Sequence, residues 1–119
     1  MIGGNITVQL QVYTTTKNSI GEKVKNWHNV CELLGWLDYQ SGDSKYTTYN
    51  AKIQEATHVF LCDYQPIPDT FEVDGKVVKV SAENARIVAN SQDYDVMYID
   101  DPMGLHKHLE IFLKYTGGQ

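Results

Sequence analysis

The sequence predicts a mainly β domain, a small and strongly bent antiparallel β-barrel with one short helix, and three observations carry that prediction. Apolar and polar residues alternate with period two in "NITVQLQVY" and again in "LHKHLEIFLKY", as strands do when one face meets a core and the other meets water. Dipeptides suited to tight reversals, Asp74-Gly75 and Asn90-Ser91, separate short runs rich in β-branched residues. The length of 119 residues suffices for one core and is too short for two, so residues 1–119 are expected to form a single domain. Closing the sheet on itself would also protect the strand edges that so small a sheet exposes.

Each element follows in order. Ile6, Val8, Leu10 and Val12 supply the core parity of the first strand, while Thr7, Gln9 and Gln11 face outward. The polar stretch "TTTKNSIGEKV" provides turn chemistry around Asn18 and Gly21, and a second extended segment reaching Trp27 completes a hairpin or a broad β-arch. From Val30 to Tyr39 the chain is largely apolar but its period is imperfect, which predicts a bulge or bend near Gly35. In "SGDSKYTTYNAKIQEAT", Ser41 or Asp43 can cap a short helix carrying Tyr46, Tyr49, Ile53 and Ala56 on one stripe. Its threonines weaken that helix, so it is expected to depend on packing or on a neighbouring subunit.

"HVFLCDY" returns to extended structure and "QPIPD" ends it. "FEVDGKVVKV" predicts a hairpin turning at Asp74-Gly75; "ARIV" and "YDVMYID" predict another, turning at Asn90-Ser91. "DPMG" reverses the chain into "LHKHLEIFLKY", where Leu109, Ile111 and Leu113 take the core parity, and "TGGQ" is a frayed tail.

Composition narrows the function classes. Hydrophobic residues make up 42% and charged residues 21%, an ordinary folded balance. A formal net charge of -5 argues against a protein that grips nucleic acid through its phosphates. No apolar run approaches the roughly 20 residues of a membrane span, and the N-terminus lacks the pattern of a secretory signal, so a cytoplasmic site of synthesis and no membrane partner are expected. Cys31 and Cys62 form no CxxC unit and read as reduced, apolar thiols.

The chemistry-bearing residues have simpler readings. His106, His108 and Glu110 recur at every second position, yet residues two apart on a strand stand about 6.5 to 7 Å apart and the remaining ligands of a metal site are missing. They read as solvent-facing or interface side chains, and neither a metal nor a cofactor is expected. Asp100 and Asp101 precede Pro102 and Gly104 and read as turn formers rather than as an acid/base pair. No phosphate loop or nucleophile elbow occurs, and His28 beside Cys31 lacks an identifiable orienting group or oxyanion donor. Catalytic chemistry therefore has no positive signal. Tyr46 and Tyr49 suit either the core or an assembly contact, because large rings with polar tips fit partly wet interfaces.

The segment "ARIVANSQDYDVMYIDDPMGLHKHLEIFLKY" resembles the C-terminal pattern of phage head-tail adaptor proteins, also called head-completion, stopper or joining proteins. The matching positions include Arg86, Tyr94, Asp101, Pro102, His106 and Leu109. The resemblance continues in order through "ITVQLQVY", "GEKVKNW", "WLDYQSG" and "EATHVFLCDY", and departs in a longer "PIPDTFEVDGKVVKVSAEN". It implies a small β-barrel repeated in a ring at the virion head-tail junction, assembled in the host cytoplasm. The implied partners are a portal or adaptor protein on the head side and a tail-completion protein on the tail side, with DNA passing through the channel without sequence-specific binding. Tyr46, Tyr49, His106 and His108 are then the expected assembly residues. Two other readings are a small β-barrel module that binds protein through a sheet edge or cleft, and a metal-dependent hydrolase centred on the C-terminal histidines.

Overall fold

The computed structural model describes residues 2–39 and 56–115. Its strands are β1 (Ile6–Lys17), β2 (Lys23–Tyr39), β3 (His58–Asp63), β4 (Thr70–Val73), β5 (Lys76–Lys79), β6 (Ala85–Ala89), β7 (Gln92–Asp100) and β8 (His108–Tyr115). The mainly β, antiparallel character expected of the chain holds among the described residues. Six strands pair in the order β1-β2-β3-β8-β7-β6, and β1 pairs back onto β6 so that the sheet closes into a barrel. The expected helix carrying Tyr46, Tyr49 and Ile53 lies outside the described residues, as does the "TGGQ" tail. Among the described residues the helical elements are two 3-10 turns, Ala82–Asn84 and Pro102–Gly104.

Alternation explains the interior. Val8, Leu10 and Val12 of β1, Phe60 of β3, Ile87 of β6 and Ile111 and Leu113 of β8 are all fully buried in one cluster. The side chains of their strand neighbours point to the other face, as the pleat requires. Leu109 keeps only 4% of its surface exposed, so the core parity read for the last strand is the observed one. The β4–β5 hairpin stands apart from the barrel sheet, pairing Phe71 with Val78 and laying both against the core. This accounts for the longer "TFEVDGKVVKV" segment: it adds a two-stranded flap.

The turns follow the residue chemistry. Asp74 and Gly75 adopt φ of 50° and 78°, and Asn90 and Ser91 adopt 51° and 64°, the left-handed pairs that reverse a two-residue hairpin without splaying its strands. In the first hairpin the Asn18 side-chain oxygen accepts bonds from the backbone N–H groups of Ile20 and Glu22, at 3.1 and 2.9 Å.

Two expectations need correction. The segments read as separate, one ending at Trp27 and one starting at Val30, are a single 17-residue strand. Its irregularity falls at Val30, which is skipped between the Leu10–Cys31 and Gln11–Asn29 pairs, and not at Gly35, which pairs regularly with Ile6 and Cys62. Gly35 is required for a different reason. A Cβ there would collide with the Leu61 carbonyl oxygen and the Phe60 ring, so glycine lets β2 and β3 approach where the barrel closes.

Candidate assembly surfaces

One surface feature is the outer half of the first hairpin. Strand β1 pairs with β6 only from Gln9 to Val12, and β2 pairs with β3 only from Gly35 to Tyr39. Among the described residues the hairpin from Tyr13 outward therefore pairs only with itself, a two-stranded ribbon that at about 3.3 Å per residue projects roughly 16 Å before its turn. Tyr13 and Trp27 pack edge to face at 5.2 Å, with Lys25 4.5 Å above the Tyr13 ring. At the tip Ile20 is 76% exposed, flanked by Lys17, Lys23 and Lys25.

Arg86 fastens the ribbon to the barrel. Its guanidinium lies 4.1 Å from the Trp27 ring centroid, donates to Gln11 Oε1 at 2.8 Å and pairs with Asp93 at 3.1 Å. One side chain thus joins β1, β2, β6 and β7 on the outer surface.

A second surface is the outward face of β2, β3, β8 and β7. Cross-strand register places Trp36, Leu61, Glu110 and Asp100 in one row and Asp38, Val59, Phe112 and Tyr98 in the next. Trp36 and Tyr98 remain 40% and 36% exposed, and Leu34, two positions before Trp36 on β2, 53%. Phe112 belongs to this outward parity and is nonetheless buried. Met97 is skipped between the Val96–Leu113 and Tyr98–Phe112 pairs, which shifts Tyr98 onto this face. Sequence reasoning missed the patch because its members come from four strands distant in the chain.

The histidines are divided by the structure. His108 opens β8, with its ring 3.1 Å from Glu110. His106 precedes the strand at a φ of 55°, so the regular alternation read through both histidines is corrected: the backbone turns between them. The His106 ring contacts the Asp101 carboxylate and stacks on Tyr64 at 4.6 Å, and the His106 backbone N–H donates to Asp101 Oδ1 at 3.0 Å. Asp101 is thereby a turn-fixing residue. Among the described residues no three His, Cys, Asp or Glu side chains are placed to hold a metal ion. Tyr46 and Tyr49 lie outside the described residues.

Asp100 faces Glu110 across the β7–β8 pair. Burial pushes its carboxyl above the usual range, and the neighbouring charges of Glu110 and Asp101 push it further in the same direction. At the opposite end of the sheet a ring cluster forms around His58, with Tyr39 at 4.7 Å, Tyr94 at 5.1 Å and Tyr115 at 6.3 Å. Burial lowers the His58 pKa, favouring the neutral ring.

The thiols sit in unreactive surroundings. Burial, then the charge of Asp63, pushes Cys62 up to about 11, and burial also raises Cys31. His28 engages Thr14 Oγ1 at 2.9 Å rather than a thiol. A nucleophilic cysteine needs the opposite environment, one that stabilises the thiolate. Asp63 instead accepts bonds from the backbone N–H groups of Ile2 and Gly3, at 2.6 and 3.1 Å, and these hold its carboxyl below the usual range.

No family model matches the sequence, and no curated protein matches it in a sequence search. Among solved structures, the solution structure of protein SF1141 from Shigella flexneri 2a superposes with a TM-score of 0.64 over 100% of this chain and 98% of that one, at 14% identity. The two share a fold. A chain in the virion of a native gene transfer agent particle superposes at 0.47 over 92% of this chain and 91% of its own, at 13% identity; an overlap that loose carries no argument about role.

Proposed function

We propose that the chain is a structural subunit of a tailed-phage head-tail connector, extending or closing the portal channel and offering a surface for tail attachment. The observation that carries this reading is the pairing of a projecting ribbon with an exposed apolar outer face on one small barrel. A connector subunit has to touch like copies beside it and unlike proteins above and below. The ordered resemblance of the sequence to head-tail adaptor proteins supports the same role. Its mechanism is recognition and channel gating without turnover or a cofactor, in a ring seated between a portal-side and a tail-side protein at the virion junction. The net charge of -5 suits a channel wall that lets DNA pass, since a lysine- or arginine-rich wall would hold phosphates.

The testing experiment is deletion of the gene from a phage or prophage that carries it, followed by an in vitro tail-joining assay on the resulting heads. Heads lacking the chain are expected to leave tails unjoined, and added chain to restore joining. Full tail attachment after clean deletion would overturn the proposal.

A second reading is favoured by one specific feature. Among the described residues the outer edge of β2 from Lys23 to Leu34 pairs with no strand but β1, and an open edge can accept an extended peptide as an added strand. Under that reading the chain is a protein-binding module. A short extended peptide that protects the Lys23–Leu34 amides from hydrogen exchange would favour it.

A further inference from the structure

We infer that the tip of the β1–β2 ribbon of one copy docks on the outward Trp36–Leu61–Tyr98 face of the next copy, making a head-to-tail contact. The inference rests on the ring-forming reading above and specifies which two surfaces meet.

Charge complementarity selects the occupant. The face carries exposed apolar rings bordered by Asp38, Asp100 and Glu110, while the Lys114 at its far end stands opposite Asp95. The ribbon tip presents the reciprocal composition: Ile20 and Val24, 76% and 39% exposed, among Lys17, Lys23 and Lys25, with Glu22 the one acidic residue of the turn. An ammonium group from the ribbon can sit beside Asp100 and Glu110 while Ile20 covers Trp36 or Tyr98. Asp100 and Glu110 stand opposite each other across the β7–β8 pair, so a cation placed at this corner meets two carboxylates. Like-charged surfaces would instead repel each other in this geometry.

Stability points in the same direction. A two-stranded ribbon free of other strands is marginal in water, and this one extends beyond the Arg86 clamp with Ile20 facing solvent. Docking on a sheet would supply the apolar support that the barrel of its own chain does not. The two surfaces are different patches, so the contact is heterologous, and repetition generates a closed ring or an open filament according to the angle between copies.

The test is directed cross-linking. One preparation carries Ile20→Cys and another Tyr98→Cys, the mixture is oxidised mildly, and covalent dimer is compared with that from Val77→Cys mixed with Tyr98→Cys. Val77 is a 68% exposed control on the β4–β5 flap, and each single variant measures the background from Cys31 and Cys62. The Ile20–Tyr98 product is expected several-fold above the control. Adding Lys23→Glu and Lys25→Glu to the ribbon variant should abolish the excess, and Asp100→Lys with Glu110→Lys on its partner should restore it. The ribbon substitutions are solvent-exposed, so a melting curve on each variant separates misfolding from lost contact. Equal yields with Ile20 and Val77, or an excess insensitive to charge reversal, would overturn the inference. Heads that require the chain for joining yet give no Ile20–Tyr98 product would reject this contact and keep the connector reading; cross-linking in a chain that heads do not need would do the reverse.

Discussion

The guanidinium of Arg86 lies over the indole of Trp27 at 4.1 Å, so a residue at the start of β6 holds the root of a ribbon built from β1 and β2. The same group reaches Gln11 and Asp93. A planar fork that stacks and donates sideways at once is something lysine cannot reproduce. Arg86→Ala should lower stability by about 1 to 2 kcal/mol, the sum expected of an exposed cation–π contact and a partly exposed ion pair. Arg86→Lys should recover only part of it. Urea unfolding followed by tryptophan fluorescence checks both, and an unchanged midpoint in the alanine variant would show that the clamp contributes nothing.

Leu109 tests the parity of the last strand. It is 4% exposed within the core cluster, and Leu109→Ala should cost about 2 to 5 kcal/mol, depending on how far the cavity collapses. Chemical denaturation supplies the comparison, the midpoint falling at constant slope.

Asp100 makes stability depend on pH with an unusual sign. Its folded carboxyl titrates above the ordinary value because of burial, then Glu110 and Asp101, so the folded chain binds more protons across that window than the unfolded one. The contribution of Asp100 to stability therefore falls as pH rises through the window, and the resulting penalty is fully present at neutral pH. Asp100→Asn should raise the melting temperature at pH 7, with the gain fading as pH falls below the ordinary aspartate value of about 4. A gain that persists undiminished at pH 3 would mean that the charged form of Asp100 is not its source.

His106 and His108 engage Asp101 and Glu110 separately. Replacing both with alanine should leave a folded chain, and elemental analysis of untagged protein should find no stoichiometric zinc. Zinc that is retained through purification and lost together with folding in the double variant would contradict this reading.

The sequence spoke clearly where a single strand or turn decides the outcome. The β8 alternation of Leu109, Ile111 and Leu113, and the turn pairs Asp74-Gly75 and Asn90-Ser91, are local signals with local causes. What stayed hidden depends on remote partners. Residues 23 to 27 of β2 lie on the ribbon, where Lys23, Val24 and Lys25 are exposed and Asn26 and Trp27 half-buried, so they carry no period to join them to residues 30 to 39. The skipped residues Val30 and Met97 are chosen by pairing across the barrel, and closure joins Gln9 to Val88, a match that no short stretch encodes. The outward patch was illegible for the same reason: Trp36, Leu61, Phe112 and Tyr98 become neighbours only through the registers of four strands. His106 was misplaced because alternation in the sequence runs on past the point where its left-handed backbone ends the strand.

The connector role is tested most directly by electron cryo-microscopy of DNA-filled phage heads prepared with and without this chain. The account predicts a ring of added density at the portal vertex, each repeat a small barrel with a projecting ribbon, present only when the chain is supplied. Portal vertices that are identical in both preparations would contradict it.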